Sequence, residues 1–183
     1  MDADTARTKL LDAAEDLFYS RGVQAVGMDD IRAASGVSLK RLYQLYPAKE
    51  SLVQAFLQRR DIAWRGRVSA YVDSHASTPR DRVLAVFEWL HVWFSEPGYR
   101  GCAWINTFGE LGGTSTVVAE EARAHKAAFR TYLLELAAAF RGSASLGDQL
   151  LLLAEGAMTT AAISGSPEPA LQARAAAELL MAA

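Results

Sequence analysis

Between positions 38 and 49 the chain gathers side chains that donate hydrogen bonds or carry positive charge: Ser38, Lys40, Arg41, Tyr43, Gln44 and Lys49. Lys and Arg complement the acceptors of guanine, and Gln complements the donor and acceptor pair of adenine, so Lys40, Arg41 and Gln44 have the groups that suit a major groove. Tyr43 offers a hydroxyl, and Lys49 stands where the next helix begins with free N–H groups and a positive dipole end, so both suit phosphate oxygens. The competing reading is an ordinary solvated face of cations beside a half-buried aromatic.

These groups can act together only if a short helix presents them. With 3.6 residues per turn, a helix over 39–46 puts Leu42, Tyr46 and Leu39 on one side and Lys40, Arg41 and Gln44 within ~100° on the other. Just upstream, in Asp30-Ile31-Arg32-Ala33-Ala34-Ser35-Gly36-Val37-Ser38, Gly36 can take the left-handed conformation that ends a helix, Val37 can plug the corner and Ser38 can cap the next helix. That is a helix-turn-helix corner.

The rest of the chain also reads as helices. Leu10, Leu11, Ala14, Leu17 and Phe18 form one buried stripe of a helix over 5–20 that Gly22 ends, and a short helix is expected over 28–34. Pro47-Ala48-Lys49-Glu50 opens a long helix with an apolar face past residue 70. Further helices are expected near 80–95, 101–111, 115–141, 146–164 and 167–183, separated by Pro97-Gly98, Gly112-Gly113, Gly142-Ser143 and Ser164-Gly165-Ser166-Pro167. The expected fold is therefore all-α with nine helices. It comprises a three-helix head over 1–47, a linking helix over 48–73 and a helical body over 48–183.

The net charge of −2 hides an asymmetry: positions 32–60 hold six cations, Arg32, Lys40, Arg41, Lys49, Arg59 and Arg60, against Glu50 alone, a local charge of +5. The remainder is mostly acidic. Glu155 interrupts the most apolar stretch, Gln149 to Ser166, so a buried helix fits it better than a membrane span. The opening Met-Asp-Ala-Asp-Thr lacks a signal peptide's basic start, and Cys102 has no second cysteine to pair with. A cytoplasmic protein is expected.

Ordered over residues 5–60, the motifs Phe18-Tyr19-Ser20-Arg21-Gly22, Asp29-Asp30-Ile31, Ala34-Ser35-Gly36-Val37-Ser38 and Leu42-Tyr43-Gln44-Leu45-Tyr46-Pro47-Ala48-Lys49-Glu50-Ser51-Leu52 resemble the tetracycline-repressor (TetR) family of bacterial one-component regulators. The resemblance implies a DNA-binding head, a divergent ligand-binding body, a homodimer built on the last two helices, around 146–164 and 167–183, and repression relieved by a small molecule. Carried over by motif position, Ser38, Tyr43 and Lys49 touch phosphates, while Lys40, Arg41 and Gln44 face bases of double-stranded operator DNA. The chain departs from the family at Gly27-Met28, where a Thr or Ser hydroxyl is common, and at Arg32, where a small residue is usual. Lys40 and Arg41 replace a frequent Gly and small residue, and Leu45 a common His, so the operator cannot be copied from a relative.

Trp89 and Trp93 are spaced i, i+4, as are Trp104 and Phe108, and with Phe129 they concentrate flat groups in consecutive body helices. These residues could wall a cavity for a small apolar or aromatic molecule, with Asn106, Thr107, Glu110, His91 and His125 supplying polar contacts; plain core packing explains the aromatics equally well. An exposed or satisfied structural role is the favoured reading of the two histidines. The segment Arg100-Gly101-Cys102-Ala103-Trp104 resembles one branch of the family, in which the Gly-Cys pair opens a body helix beside the ligand cavity; Cys102 could be a redox sensor or a packed thiol. Leu150, Leu151, Leu153, Ala154, Ala157, Met158 and Ala161, followed by Leu171, Ala175, Leu179 and Leu180, leave two helices apolar beyond one face, a surplus that a second copy could bury.

Neither a metal-ligand spacing nor a cofactor motif is present, and no nucleophile and base pair supports the rival reading of an all-α enzyme using Glu110, His91 or His125. A DNA-binding dimer without an effector is the other alternative.

Overall fold

The computed structural model describes residues 2–141 and 144–182. Among these residues there are nine α-helices and no strands: α1 (Ala3–Arg21), α2 (Met28–Ser35), α3 (Leu39–Leu45), α4 (Lys49–His75), α5 (Pro79–Phe94), α6 (Ala103–Leu111), α7 (Thr116–Arg141), α8 (Ala144–Ser164) and α9 (Glu168–Ala182). The expected separator Gly142-Ser143 and the final residue of the last expected helix lie outside the described residues.

Helix ends differ from expectation for local reasons. Helix α1 begins two residues early because Asp2 caps it, accepting from the Thr5 backbone N–H at 2.9 Å and the Thr5 hydroxyl at 2.7 Å. These two bonds draw the Asp2 carboxyl from the ordinary 3.8 down to about 2. At α6 the helix starts at Ala103, not at Gly101, whose φ of +86° is not helical. Thr78 caps α5 through the Asp81 N–H at 3.1 Å, with Pro79 in the first turn, where its missing N–H costs nothing.

By packing, the chain divides into two compact units. The first comprises Met1–Asp61 with Ala103–Arg123, and the second Ile62–Cys102 with Ala124–Ala183. Helices α4 and α7 each contribute to both.

In the first unit α1, α2 and α3 pack on one another around Leu10, Ala14, Phe18, Ile31 and Leu42, joined by Leu52, Val53 and Phe56 of α4, all buried. Burying one such side chain contributes about 1.5–3 kcal/mol. Phe18 meets Phe56 edge to face at 5.7 Å. Two short helices of eight and seven residues, too short to persist alone, gain their stability from this core.

The second unit is organised around α5, whose residues Val83 to Phe94 are buried nearly all round. Helix α9 packs against α5 and α8, and α8 against α5. Ala170, Ala173 and Ala177 are the buried side of α9, and Leu150, Ala154, Ala157, Met158 and Ala161 that of α8, where small side chains let backbones approach. No helix among the described residues is long and apolar enough to cross a membrane.

Candidate nucleic-acid interface

The turn between α2 and α3 is built as its residues dictate. Gly36 adopts φ 65° and ψ 13°, the left-handed conformation, and its N–H reaches the Arg32 carbonyl at 3.1 Å. Ser35 Oγ accepts from the Val37 N–H at 3.2 Å, and Val37 is buried in the corner. Ser38 Oγ then caps α3 by accepting from the Arg41 N–H at 3.4 Å. Gly27 precedes α2 without a side chain to offer, and the reciprocal bond comes from Asp30, whose Oδ2 accepts from the Gly27 N–H at 2.7 Å.

Leu42 and Tyr46 anchor α3 in the core, but Leu39, expected on the same side, is 41% exposed. It is the first residue of the helix, beyond the reach of the core beneath Leu42. Lys40, Tyr43 and Gln44 are exposed, and Arg41 is half-buried. Ser38, Lys40, Arg41 and Gln44 line one open concavity of about 510 Å³ together with Val37. Arg41 Nη1 donates to Gln44 Oε1 at 3.3 Å across one helical turn. Tyr43, 46% exposed, stands on the same helix, and Lys49 is the first residue of α4 in the same unit. Burial draws the Lys49 ammonium below its ordinary range, while the Glu110 and Asp30 carboxylates oppose that shift.

The local charge of +5 is not all available. Arg59 pairs with Asp12 at 2.7 Å and Glu15 at 3.7 Å, Arg60 pairs with Glu15 and lies 4.0 Å over the Tyr19 ring, and Arg32 pairs with Asp29 at 3.2 Å. Among the described residues no ion pair ties Lys40, Arg41 or Lys49, the cations that suit a nucleic acid.

Glu110 does something the sequence did not signal. Its Oε2 accepts from the Gln24 backbone N–H at 2.6 Å, and its carbonyl accepts from Gln24 Nε2 at 2.6 Å, so α6 grips the α1–α2 turn. Gly22 is needed there twice over: its φ is +88°, and a Cβ would come within 3.0 Å of Glu110 Oε1. Ser115 donates to Glu50, and Gln54 and Gln58 donate to Glu121 at 2.9 and 2.6 Å, so the start of α7 is held to α4 as well. A lone Glu and Gln 86 positions apart leave no periodic trace from which this could be found.

The body aromatics fall in both units. Trp89, Trp93 and Phe129 belong to the second, packed edge to face around Trp64 at centroid distances of 5.1, 5.6 and 5.0 Å, with the His125 ring 5.1 Å away. Trp104, Asn106 and Phe108 belong to the first; Trp104 is buried, while Asn106 and Phe108 are exposed. Buried Cys102 accepts from Lys126 Nζ at 3.3 Å, and that ammonium also reaches Glu155 at 2.6 Å. Among the described residues no three His, Cys, Asp or Glu side chains gather as a metal set.

Residues 10–56, spanning α1 to the start of α4, match the family described as bacterial regulatory proteins, tetR family. An uncharacterized HTH-type transcriptional regulator of Mycobacterium tuberculosis, Rv1255c, is 31% identical over 127 residues, which cover 66% of this chain but only 61% of that protein, less than two thirds of its length. The HTH-type transcriptional activator FasR of Mycolicibacterium smegmatis is 46% identical over 56 residues, 31% of this chain and 26% of FasR. Among solved structures, the TetR-family transcriptional regulator SCO4454 of Streptomyces coelicolor superposes with a TM-score of 0.89 at 28% identity, covering 97% of this chain and 95% of that one. With the turn, the short helix and the cations in place, the matched segment and the shared fold lead to one assignment: the chain belongs to the TetR family of bacterial regulatory proteins.

Proposed function

We propose that the protein is a cytoplasmic, ligand-responsive transcriptional regulator that binds a palindromic operator as a homodimer and is released by a small apolar or aromatic molecule. The observation that carries this reading is the set of Lys40, Arg41 and Lys49, none held in an ion pair among the described residues, with Gln44 beside the Gly36 corner. In two copies, α3 enters successive major grooves about 34–36 Å apart. Ser38, Tyr43 and Lys49 hold phosphates, and Lys40, Arg41 and Gln44 meet base edges.

Dimerisation is supported by the outer faces of α8 and α9. Leu152, Gly156, Thr159 and Ile163 recur at helical spacing, with Leu152 73% and Ile163 83% exposed, and Leu179 of α9 is 75% exposed. Open space surrounds Gly156, which allows a second helix to come close.

Trp89, Trp93 and Phe129, packed around Trp64, are proposed as effector contacts on α5 and α7, and Trp104, Asn106 and Phe108 as contacts on α6; each set is tested separately by substitution. An effector lowers DNA affinity only by binding the DNA-free form more tightly. Repression is the proposed direction.

The test is retention of full-length protein on a random duplex pool at low salt, followed by release with a panel of small aromatic compounds. Retention with selective release supports the whole reading. Retention that no compound reverses leaves a DNA-binding dimer without an effector, and absence of retention removes the regulator reading altogether.

A further inference from the structure

We propose that α3 reads guanine at two neighbouring base pairs of each operator half-site, because the hydrogen bond from Arg41 makes Gln44 a donor to guanine instead of a reader of adenine. The inference rests on the DNA-binding reading above and specifies what that site selects.

A glutamine recognises adenine by placing its carboxamide oxygen and nitrogen side by side, the oxygen on the N6 amino group and the nitrogen on N7. In this protein the oxygen is engaged by Arg41 Nη1 at 3.3 Å. The amide orientation follows from chemistry: a guanidinium has only donors, so the Gln44 atom facing it must be the acceptor. The two N–H groups of Gln44 are then its main free valences. The second lone pair of the oxygen remains, in a direction set by Arg41 and not by a base.

The surrounding groups point the same way. Ser38 Oγ already accepts from the Arg41 backbone N–H, which leaves its hydroxyl proton to give. Lys40 has three donors and no acceptor, and Arg41 keeps donors on its fork after serving Gln44. The Ser38 carbonyl is taken by the Leu42 N–H at 2.9 Å. The concavity lined by Val37, Ser38, Lys40, Arg41 and Gln44 therefore presents donors almost alone.

In the major groove guanine offers two acceptors, O6 and N7, and no donor, whereas adenine and cytosine each present an amino group that would oppose this donor surface. Thymine offers one acceptor where guanine offers two. Arg41 and Gln44 lie three residues apart on one face of α3, a spacing of about 5–6 Å between Cβ atoms, which suits adjacent base pairs.

The experiment is sequencing of duplexes selected from a random pool by the full-length protein and by three variants. Wild type is expected to enrich two adjacent guanines in each half-site. Gln44→Ala should flatten one of those positions and leave the other. Arg41→Met, which keeps the apolar stem but frees the Gln44 oxygen, should lose the second guanine and turn the Gln44 position from guanine to adenine. Gln44→Glu, whose carboxylate has only acceptors, should turn it to cytosine, and it tests the idea even where Arg41→Met selects nothing. Replacing the guanine under Gln44 by 7-deazaguanine should weaken wild-type binding roughly tenfold. Adenine or thymine selected by wild type at the Gln44-dependent position overturns the inference, as does guanine persisting there in Gln44→Glu. A wild type that enriches no duplex at all removes the DNA-binding reading itself and this inference with it.

Discussion

In the first unit Arg32, Arg59 and Arg60 are tied to carboxylates of α1 and α2, and Leu10, Phe18, Ile31 and Leu42 are hidden; on α3 and at the start of α4, Lys40 and Gln44 are exposed and Arg41 and Lys49 are half-buried, none of the three cations in an ion pair among the described residues. In the second unit Arg82 pairs with Asp73, Arg130 with Asp148, Lys126 with Glu155 and Arg174 with Glu88 and Glu178, and the exposed apolar side chains include Leu152, Ile163 and Leu179 on α8 and α9 as well as Ile62 on α4 and Val92 on α5. The first unit thus leaves cations without ion pairs around α3, and the second leaves apolar side chains open on α8 and α9. A polyanion complements the first, and a second apolar helix pair complements the second.

The largest effect should come from making the apolar stripe unlike itself. Ile163→Glu is expected to turn a homodimer into a monomer in analytical ultracentrifugation, and to lower affinity for a two-half-site duplex about 10²–10⁴-fold through loss of the second head. A dimer that survives the change would move the interface elsewhere.

Next comes the support beneath the recognition helix. Leu42→Ala removes a fully buried side chain and should cost about 2–5 kcal/mol, seen as a lower melting temperature of the head. If melting is unchanged while duplex binding is lost, Leu42 supports binding in some way other than packing.

Glu110→Ala should cost about 1 kcal/mol by freeing the Gln24 N–H, and the Gln24 amide should exchange its proton about fivefold faster. Unchanged exchange would mean that the α6 grip depends on the carbonyl bond to Gln24 Nε2 alone.

The smallest effect concerns the end of α1. The Asp2 carboxyl is lowered in the folded chain, so its capping contribution is fully present above the ordinary 3.8 and is lost as pH falls through about 2. The Thr5 amide signal should follow that transition by NMR, and Asp2→Ala should abolish it at every pH. Failure of the Thr5 signal to titrate would remove the cap.

The helix-turn-helix corner was legible because its signals are local: Gly36, Val37 and Ser38 act on neighbours within three residues. The expected helices were recovered from apolar periodicity, with ends displaced where a cap such as Asp2 or a positive φ such as that of Gly101 decides the matter. Net charge along the chain misled more. Arg59 and Arg60 find Asp12 and Glu15 some 45 residues away, and only the packed helices show that their charge is neutralised. By residue type and position Glu110 suits a polar contact for a ligand or an acid, and its grip on Gln24 depends on tertiary proximity that no spacing encodes. The aromatic stretch was visible as composition, but its division between two units was not.

The claim on which the account turns is that the cations of α3 and the start of α4 grip duplex DNA, and the salt dependence of duplex binding by fluorescence anisotropy tests it most directly. The account predicts a steep linear fall of log affinity with log salt, with the slope reduced by about 1 for each phosphate contact that Lys49→Ala removes, and hence by about 2 in a dimer. Binding indifferent to salt, or a Lys49→Ala slope equal to that of wild type, would contradict it.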